Sequence, residues 1–137
     1  MHKQGIKVYG VSYYNEIGKF SRYFSNSYVL PNPLAQTEDF KSSLKLILSD
    51  FEKKPVLFIA NDEYLDFYLN NSPFVKSFFH SNLPDLDVVR NISNKYQLYK
   101  TALNINVDVP KTFLINNHND LDTLLKSDYQ FPLFIKG

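Results

Sequence analysis

The chain has 137 residues, 44% of them apolar and 16% aromatic, enough for one ordinary domain with a real core and too apolar for a disordered polar chain. Fifteen basic against fourteen acidic side chains give a net charge of +1, without the basic excess or stripe of a dedicated nucleic-acid binder. No apolar run approaches the roughly 20 residues of a membrane span, the start Met1-His2-Lys3-Gln4 opens no signal peptide, and there is no cysteine for a disulfide or thiolate metal site. These features point to a soluble cytoplasmic protein without a nucleic-acid or membrane partner.

Along the chain, strand and helix periods alternate. Gly5 suits the left-handed position that ends a helix, and Ile6, Val8 and Val11 predict a first strand. Tyr28-Val29-Leu30 reads as a second strand, stopped by Pro31 and Pro33. Thr37 offers a helix N-cap, with Glu38 and Asp39 in the first turn where the dipole favours negative charge. Phe40, Leu44, Ile47, Leu48 and Phe51 follow at helical spacing. Pro55 to Ala60 is a continuous apolar run, the pattern of a strand covered on both faces. Asn61-Asp62 caps the next helix, with Leu65, Tyr68 and Leu69 inward, and Ser72-Pro73 breaks it. The stretch from Phe74 to Leu83 fits neither period clearly.

Beyond it, Asp85 caps a short helix through Val89, and Ser93 is expected to cap one carrying Leu98, Tyr99, Ala102 and Leu103. Thr112-Phe113-Leu114-Ile115 reads as a strand, Asn119 or Asp120 starts a last helix, and Phe131 to Lys136 reads as an apolar strand. The early alternation predicts βαβ crossovers and hence a parallel, doubly wound α/β sheet with helices on both faces. A boundary is expected near Asn91, dividing residues 1–90 from 91–137.

Several chemistries are excluded by residue type. Four glycines allow no Gly-x-Gly-x-x-Gly turn and no P-loop, and no Gly-x-Ser-x-Gly elbow exists. His2, His80 and His118 stand apart from one another and read as surface residues. Asp85/Asp87 and Asp120/Asp122 read as capping pairs. The aromatic stretch Tyr13, Tyr14, Phe20, Tyr23, Phe24 and Tyr28, interleaved with Lys19 and Arg22, reads as rings packed on a sheet edge, with a base-stacking groove as the rival.

Segments in order resemble one family. Gly5 to Val11 resembles the second strand of the domain that precedes the catalytic fold in ATP-grasp enzymes. Phe20-Ser21-Arg22-Tyr23 and Tyr28-Val29-Leu30-Pro31 resemble stretches of the carboxylate–amine ligase and carbamoyl-phosphate-synthase-like members, and Pro55 to Glu63 resembles their strand ending in Asn-Asp-Glu. Leu83-Pro84-Asp85 and Asn94 to Tyr99 resemble the start of the ATP-grasp fold, Val107 to Thr112 its Val-Pro-Lys-Thr segment, and Phe131 to Lys136 the strand bearing a nucleotide-contacting lysine. Two positions depart: Asn94 stands for the usual Asp, and Asn104-Ile105-Asn106 replaces a usual Gly.

The resemblance implies a partial Rossmann-like pre-ATP-grasp domain followed by the first elements of an ATP-grasp fold. It implies an ATP-dependent ligase, with Mg2+, that joins a small carboxylate to an amine through an acyl phosphate. It assigns Lys95 and Lys136 to the nucleotide, a role that suits a hydrated ammonium facing phosphate oxygens. Without it, Lys136 reads as a lysine snorkelling from a strand end. Asn61 and Asp62, at the carboxyl edge of the best predicted strand, are the candidate substrate contacts. Family members also carry an earlier strand and helix and continue well past Lys136, so the chain is expected to be a piece, inert alone and self-associating through exposed sheet. The alternative is a non-catalytic binding domain on the same scaffold.

Overall fold

The computed structural model describes residues 4–127 and 129–135. Gly5 takes φ +73°, the left-handed conformation that glycine adopts without a Cβ penalty. Strand β1 (Tyr9–Ser12) then pairs in parallel with β2 (Asn26–Val29), Tyr9 opposite Asn26 and Ser12 opposite Val29. A parallel pair needs a long crossover, and the segment between them supplies it with a short 3-10 helix, Ile17–Phe20. The Ser25 N–H donates to the Val8 carbonyl (2.7 Å) and the Leu30 N–H to the Ser12 carbonyl (2.8 Å), extending the ladder at both ends. Gly10 lets the Phe24 ring lie against β1, because a Cβ there would stand 2.7 Å from a ring carbon.

Helix α1 (Thr37–Leu48) carries the expected apolar face, with Phe40 and Leu44 buried. Its N-cap is Gln36, not Thr37. The Thr37 hydroxyl instead donates backwards to the Pro33 carbonyl (2.9 Å), because Asn32 has already turned the chain: its Oδ1 accepts from the Leu34 and Ala35 N–H groups, both at 2.9 Å. Lys41 pairs with Glu38 one turn back, at 2.7 Å.

Strand β3 is only Val56–Leu57, paired in parallel with β4 (His80–Ser81). The expected two-sided burial of Pro55 to Ala60 is not found, since Val56 and Phe58 are 60% and 65% exposed. Between β3 and β4 run α2 (Asp62–Asn70) and α3 (Ser72–Phe78), and Pro73 in the first turn of α3 makes the break. The fold class is therefore α/β, with two separate two-stranded parallel sheets among the described residues.

These elements belong to one compact unit, Met1–Leu83. Its core joins α1, α2 and α3: Phe40, Phe67, Tyr68, Leu69 and Val75 are all buried. The Phe67 ring meets Phe40 edge-on at 4.8 Å and Phe74 edge-on at 6.3 Å, the preferred aromatic arrangement.

The second unit is Pro84–Gly137. Helix α4 (Leu86–Ser93) is capped as expected, Asp85 Oδ1 accepting from the Asp87 N–H at 2.9 Å. Helix α5 (Lys95–Asn104) is capped by Asn94, whose Oδ1 accepts from the Gln97 N–H at 2.9 Å. Ser93, the expected cap, ends α4 instead, its hydroxyl donating to the Val89 carbonyl. Helix α6 (His118–Leu125) starts from Asn117 rather than Asn119 or Asp120, with Asn117 Oδ1 accepting from the Asp120 N–H. Thr112 to Ile115 and the described part of the 131–136 run form no strand. A β-rich run becomes a strand only when a neighbour pairs with its backbone, and none does so here among the described residues. No helix among the described residues is long and apolar enough to cross a membrane.

Candidate functional site

The carboxyl ends of β1 and β3 lead into one polar and aromatic cluster. Tyr13, Tyr14 and Glu16 follow β1 directly, and Asn61, Asp62, Glu63 and Tyr64 open α2 just after β3. Loop 12–16 is tied to itself: the Ser12 hydroxyl donates to the Tyr14 carbonyl at 2.8 Å, and the Glu16 N–H donates to the same oxygen at 3.0 Å. On the other side, Asn61 Oδ1 accepts from the Tyr64 N–H at 3.0 Å, satisfying a backbone donor of the first helical turn. Asn61 thus fixes the start of the helix that carries Glu63 and Tyr64.

The rings meet across the loop and the helix. Tyr13 stands edge-on to Tyr14, with centroids 4.7 Å apart and planes at 73°, and lies 6.4 Å from Tyr64. Tyr64 in turn lies 5.9 Å from Phe40, which links the cluster to the buried core. The hydroxyl of Tyr64 is buried without a hydrogen-bond partner among the described residues.

The three phenols of the cluster are all shifted in one direction. Hydrogen bonding to the Glu63 carboxylate, ahead of desolvation and the charges of Glu63 and Glu16, pushes the Tyr13 phenol up to about 12. Tyr14 is raised chiefly by a hydrogen bond to Glu16, with the Glu63 charge adding to it. Tyr64 is raised chiefly by burial, then by the Glu16 charge, the neighbouring Tyr13 and the Glu63 charge. Each phenol therefore feels both carboxylates. All three shifts have one sign: hydrogen bonding to a carboxylate, burial and nearby negative charge each oppose a phenolate.

Of the sequence-derived site residues, Asn61 and Asp62 stand at the start of α2 ahead of Tyr64, with Asn61 engaged in capping and Asp62 exposed. Lys95 is the first residue of α5, exposed, in the second unit. Lys136 lies outside the described residues. Tyr64, Glu16 and Glu63 carry no local signal that marks them as a site. Tyr13 and Tyr64 are far apart in sequence, and only the return of the chain through β3 brings them together.

The basic and aromatic residues next to the cluster are occupied locally. Lys19 bonds Asn15 Oδ1 and lies 4.9 Å from the Phe20 ring centre, and Arg22 lies 5.1 Å from that of Tyr23. Each cation covers the adjacent ring instead of lining a groove with it. In the second unit, Ile115, Asn116, Asn117, His118 and Leu121 line a shallow, open depression of about 380 Å3. It gathers one histidine and two asparagines, of which Asn117 caps α6 through its side chain and Asn116 donates its backbone N–H to Asp120, and no set of convergent charges among the described residues. No group of three or more His, Cys, Asp or Glu side chains suited to a metal occurs among the described residues.

A Methanocaldococcus jannaschii protein described as "Uncharacterized protein MJ0776" is 28% identical over 139 residues, which cover 92% of this chain and 32% of that protein. The chain thus spans about a third of the length of the curated relative it matches. No protein-family model matches the sequence, and no solved structure matches it significantly.

Proposed function

We propose that the chain is the front portion of an ATP-grasp ligase that joins a small carboxylate to an amine. The observation that supports this reading is that the segments following β1 and β3, each the strand of a parallel pair, meet through Tyr13 and Tyr64 beside the α2 start at Asn61 and Asp62. Open α/β sheets bind ligands at that edge. On this reading the pairs β1–β2 and β3–β4 are flanks of one doubly wound sheet, with Tyr13 and Asn61 on either side of its switch point. The first unit, Met1–Leu83, is the pre-ATP-grasp domain on this reading, and the second, Pro84–Gly137, begins the ATP-grasp fold with α4, α5 and its Lys95. The greater length of the archaeal relative leaves room for the remaining catalytic elements in a protein of that size.

A substrate carboxylate oxygen attacks the γ-phosphorus of Mg-ATP, forming the acyl phosphate and releasing ADP. The amine then attacks the acyl carbon, loses a proton, and expels inorganic phosphate to leave the amide. Lys95 and Lys136 serve as point charges for phosphate oxygens. Asn61 orders the substrate side of the site by holding the first turn of α2.

Nucleotide product analysis of the full-length protein tests the reading. ADP and phosphate are expected in equal amounts, and only when both a carboxylate and an amine are supplied. AMP and pyrophosphate as products would overturn the acyl-phosphate route. Ligand binding without any turnover would favour the non-catalytic domain.

A further inference from the structure

Strand β3 uses only the first part of the apolar run that contains it. Val56 and Leu57 pair with β4, while Phe58, Ile59 and Ala60 join no sheet among the described residues. The side of β3 away from β4 carries no strand among those residues either. The Pro55 carbonyl accepts from the His80 N–H at 2.8 Å and so faces β4. Backbone direction alternates along a strand, so Val56, with Phe58 and Ala60 in continuation, turns its N–H and C=O to the open edge. Exposure alternates as well: Val56, Phe58 and Ala60 are exposed, and Leu57 and Ile59 are half-buried. An open edge with exposed apolar side chains is a template for a further strand.

The flanks of the run select that strand. Lys53 and Lys54 stand just before it, and Asp62 and Glu63 just after it, in the first turn of α2. A twofold axis brings the same edge of two copies together in antiparallel sense. With Phe58 opposite Phe58 of the second copy, Val56 falls opposite Ala60, so the residues that face the open edge meet one another. The same register brings Lys53 and Lys54 of each copy to Asp62 and Glu63 of the other, at both ends of the contact. Lys54 is also held by the Lys76 carbonyl at 2.6 Å, which leaves Lys53 as the main contributor. A parallel, in-register alignment sets like charge against like charge instead. We propose that two copies of the chain pair through the open edges of β3, antiparallel about Phe58, and join their β3–β4 pairs into one four-stranded sheet. Each exposed apolar side chain of the run then gains a cross-strand neighbour, with the two Phe58 rings at the centre.

Sedimentation equilibrium of the 137-residue chain tests the association, and cysteine crosslinking tests its register. The contact is short, so a monomer–dimer equilibrium that shifts with concentration is expected. Residues opposed in a hydrogen-bonded antiparallel pair have Cα atoms about 5.5 Å apart, within the span of a disulfide, and the chain has no cysteine of its own. Phe58→Cys should therefore give a disulfide-linked dimer on mild oxidation. Phe20→Cys, at a residue 79% exposed in the β1–β2 crossover, should give far less. Charge reversal supplies a second arm. Lys53→Glu with Lys54→Glu, and separately Asp62→Lys with Glu63→Lys, should each leave the chain monomeric where the parent dimerises, because like charges then meet at both ends. An equimolar mixture of the two double variants should dimerise again, since opposite charges are restored at both ends. Thermal melts establish that both are folded. A parent chain that stays monomeric, Phe58→Cys crosslinking no better than Phe20→Cys, or a mixture no more associated than either variant alone would each overturn the proposal. None of these measurements involves a nucleotide, so the dimer and the ligase reading stand or fall separately.

Discussion

Phe67→Ala is expected to destabilise the first unit by about 3–5 kcal/mol, the range for truncating a buried aromatic ring. Phe67 is 4% exposed and meets Phe40 of α1 at 4.8 Å and Phe74 of α3 at 6.3 Å, so its ring joins three helices. Removing it leaves a cavity that rigid helix backbones cannot close, and two edge-on aromatic contacts are lost with it. A small domain has only about 5–15 kcal/mol of stability in total, so much of it rests on this one side chain. Urea unfolding of the 137-residue chain measures the loss. Ile17→Ala is the matched control, since Ile17 is 91% exposed and its truncation should stay within about 0.5 kcal/mol. A Phe67→Ala midpoint no lower than that of Ile17→Ala would show that the three-helix core does not hold the unit together.

The second large effect concerns the nucleotide. In the full-length protein, Lys95→Ala is expected to raise the KM for ATP about ten- to a hundredfold, because a charge-assisted contact to phosphate contributes roughly 1.5–3 kcal/mol. The KM values for the carboxylate and the amine should change far less, since on the ligase reading Lys95 acts on the phosphates alone. Lys100→Ala provides the comparison: Lys100 lies on the same helix, 4.7 Å from the Tyr96 ring centre, and has no nucleotide role on this reading. Equal effects of the two substitutions would make Lys95 an ordinary helix-surface lysine.

Much of the helical framework was legible because its signals are local. Asn61 and Asp85 were expected caps, and each accepts a backbone N–H from its own helix start. The apolar spacing of Phe40 and Leu44 foretold the buried face of α1. The caps that moved did so for equally local reasons. Asn32 had already turned the chain ahead of Thr37, and Asn94 and Asn117, better placed by a residue or two, took over from Ser93 and Asn119.

Strands were less legible, because an apolar run announces a preference and not a partner. Pro55 to Ala60 pairs only at Val56–Leu57, and Thr112 to Ile115 pairs with nothing among the described residues. The candidate site was half legible for the same reason. Asn61 and Asp62 stand out in the sequence as the polar pair that follows an apolar run. Tyr13 and Tyr14 were noticed only as part of an aromatic run. The meeting of Tyr13 with Tyr64 depends on chain return over some fifty residues, which neither periodicity nor spacing encodes.

The acyl phosphate is the centre of the functional account, and the fate of the substrate oxygen tests it most directly. When the full-length protein turns over its carboxylate labelled with 18O in both oxygens, one labelled oxygen should appear in each inorganic phosphate released. The amide should retain the other, and ADP should carry none. Label recovered in AMP, or phosphate released without label, would contradict the account.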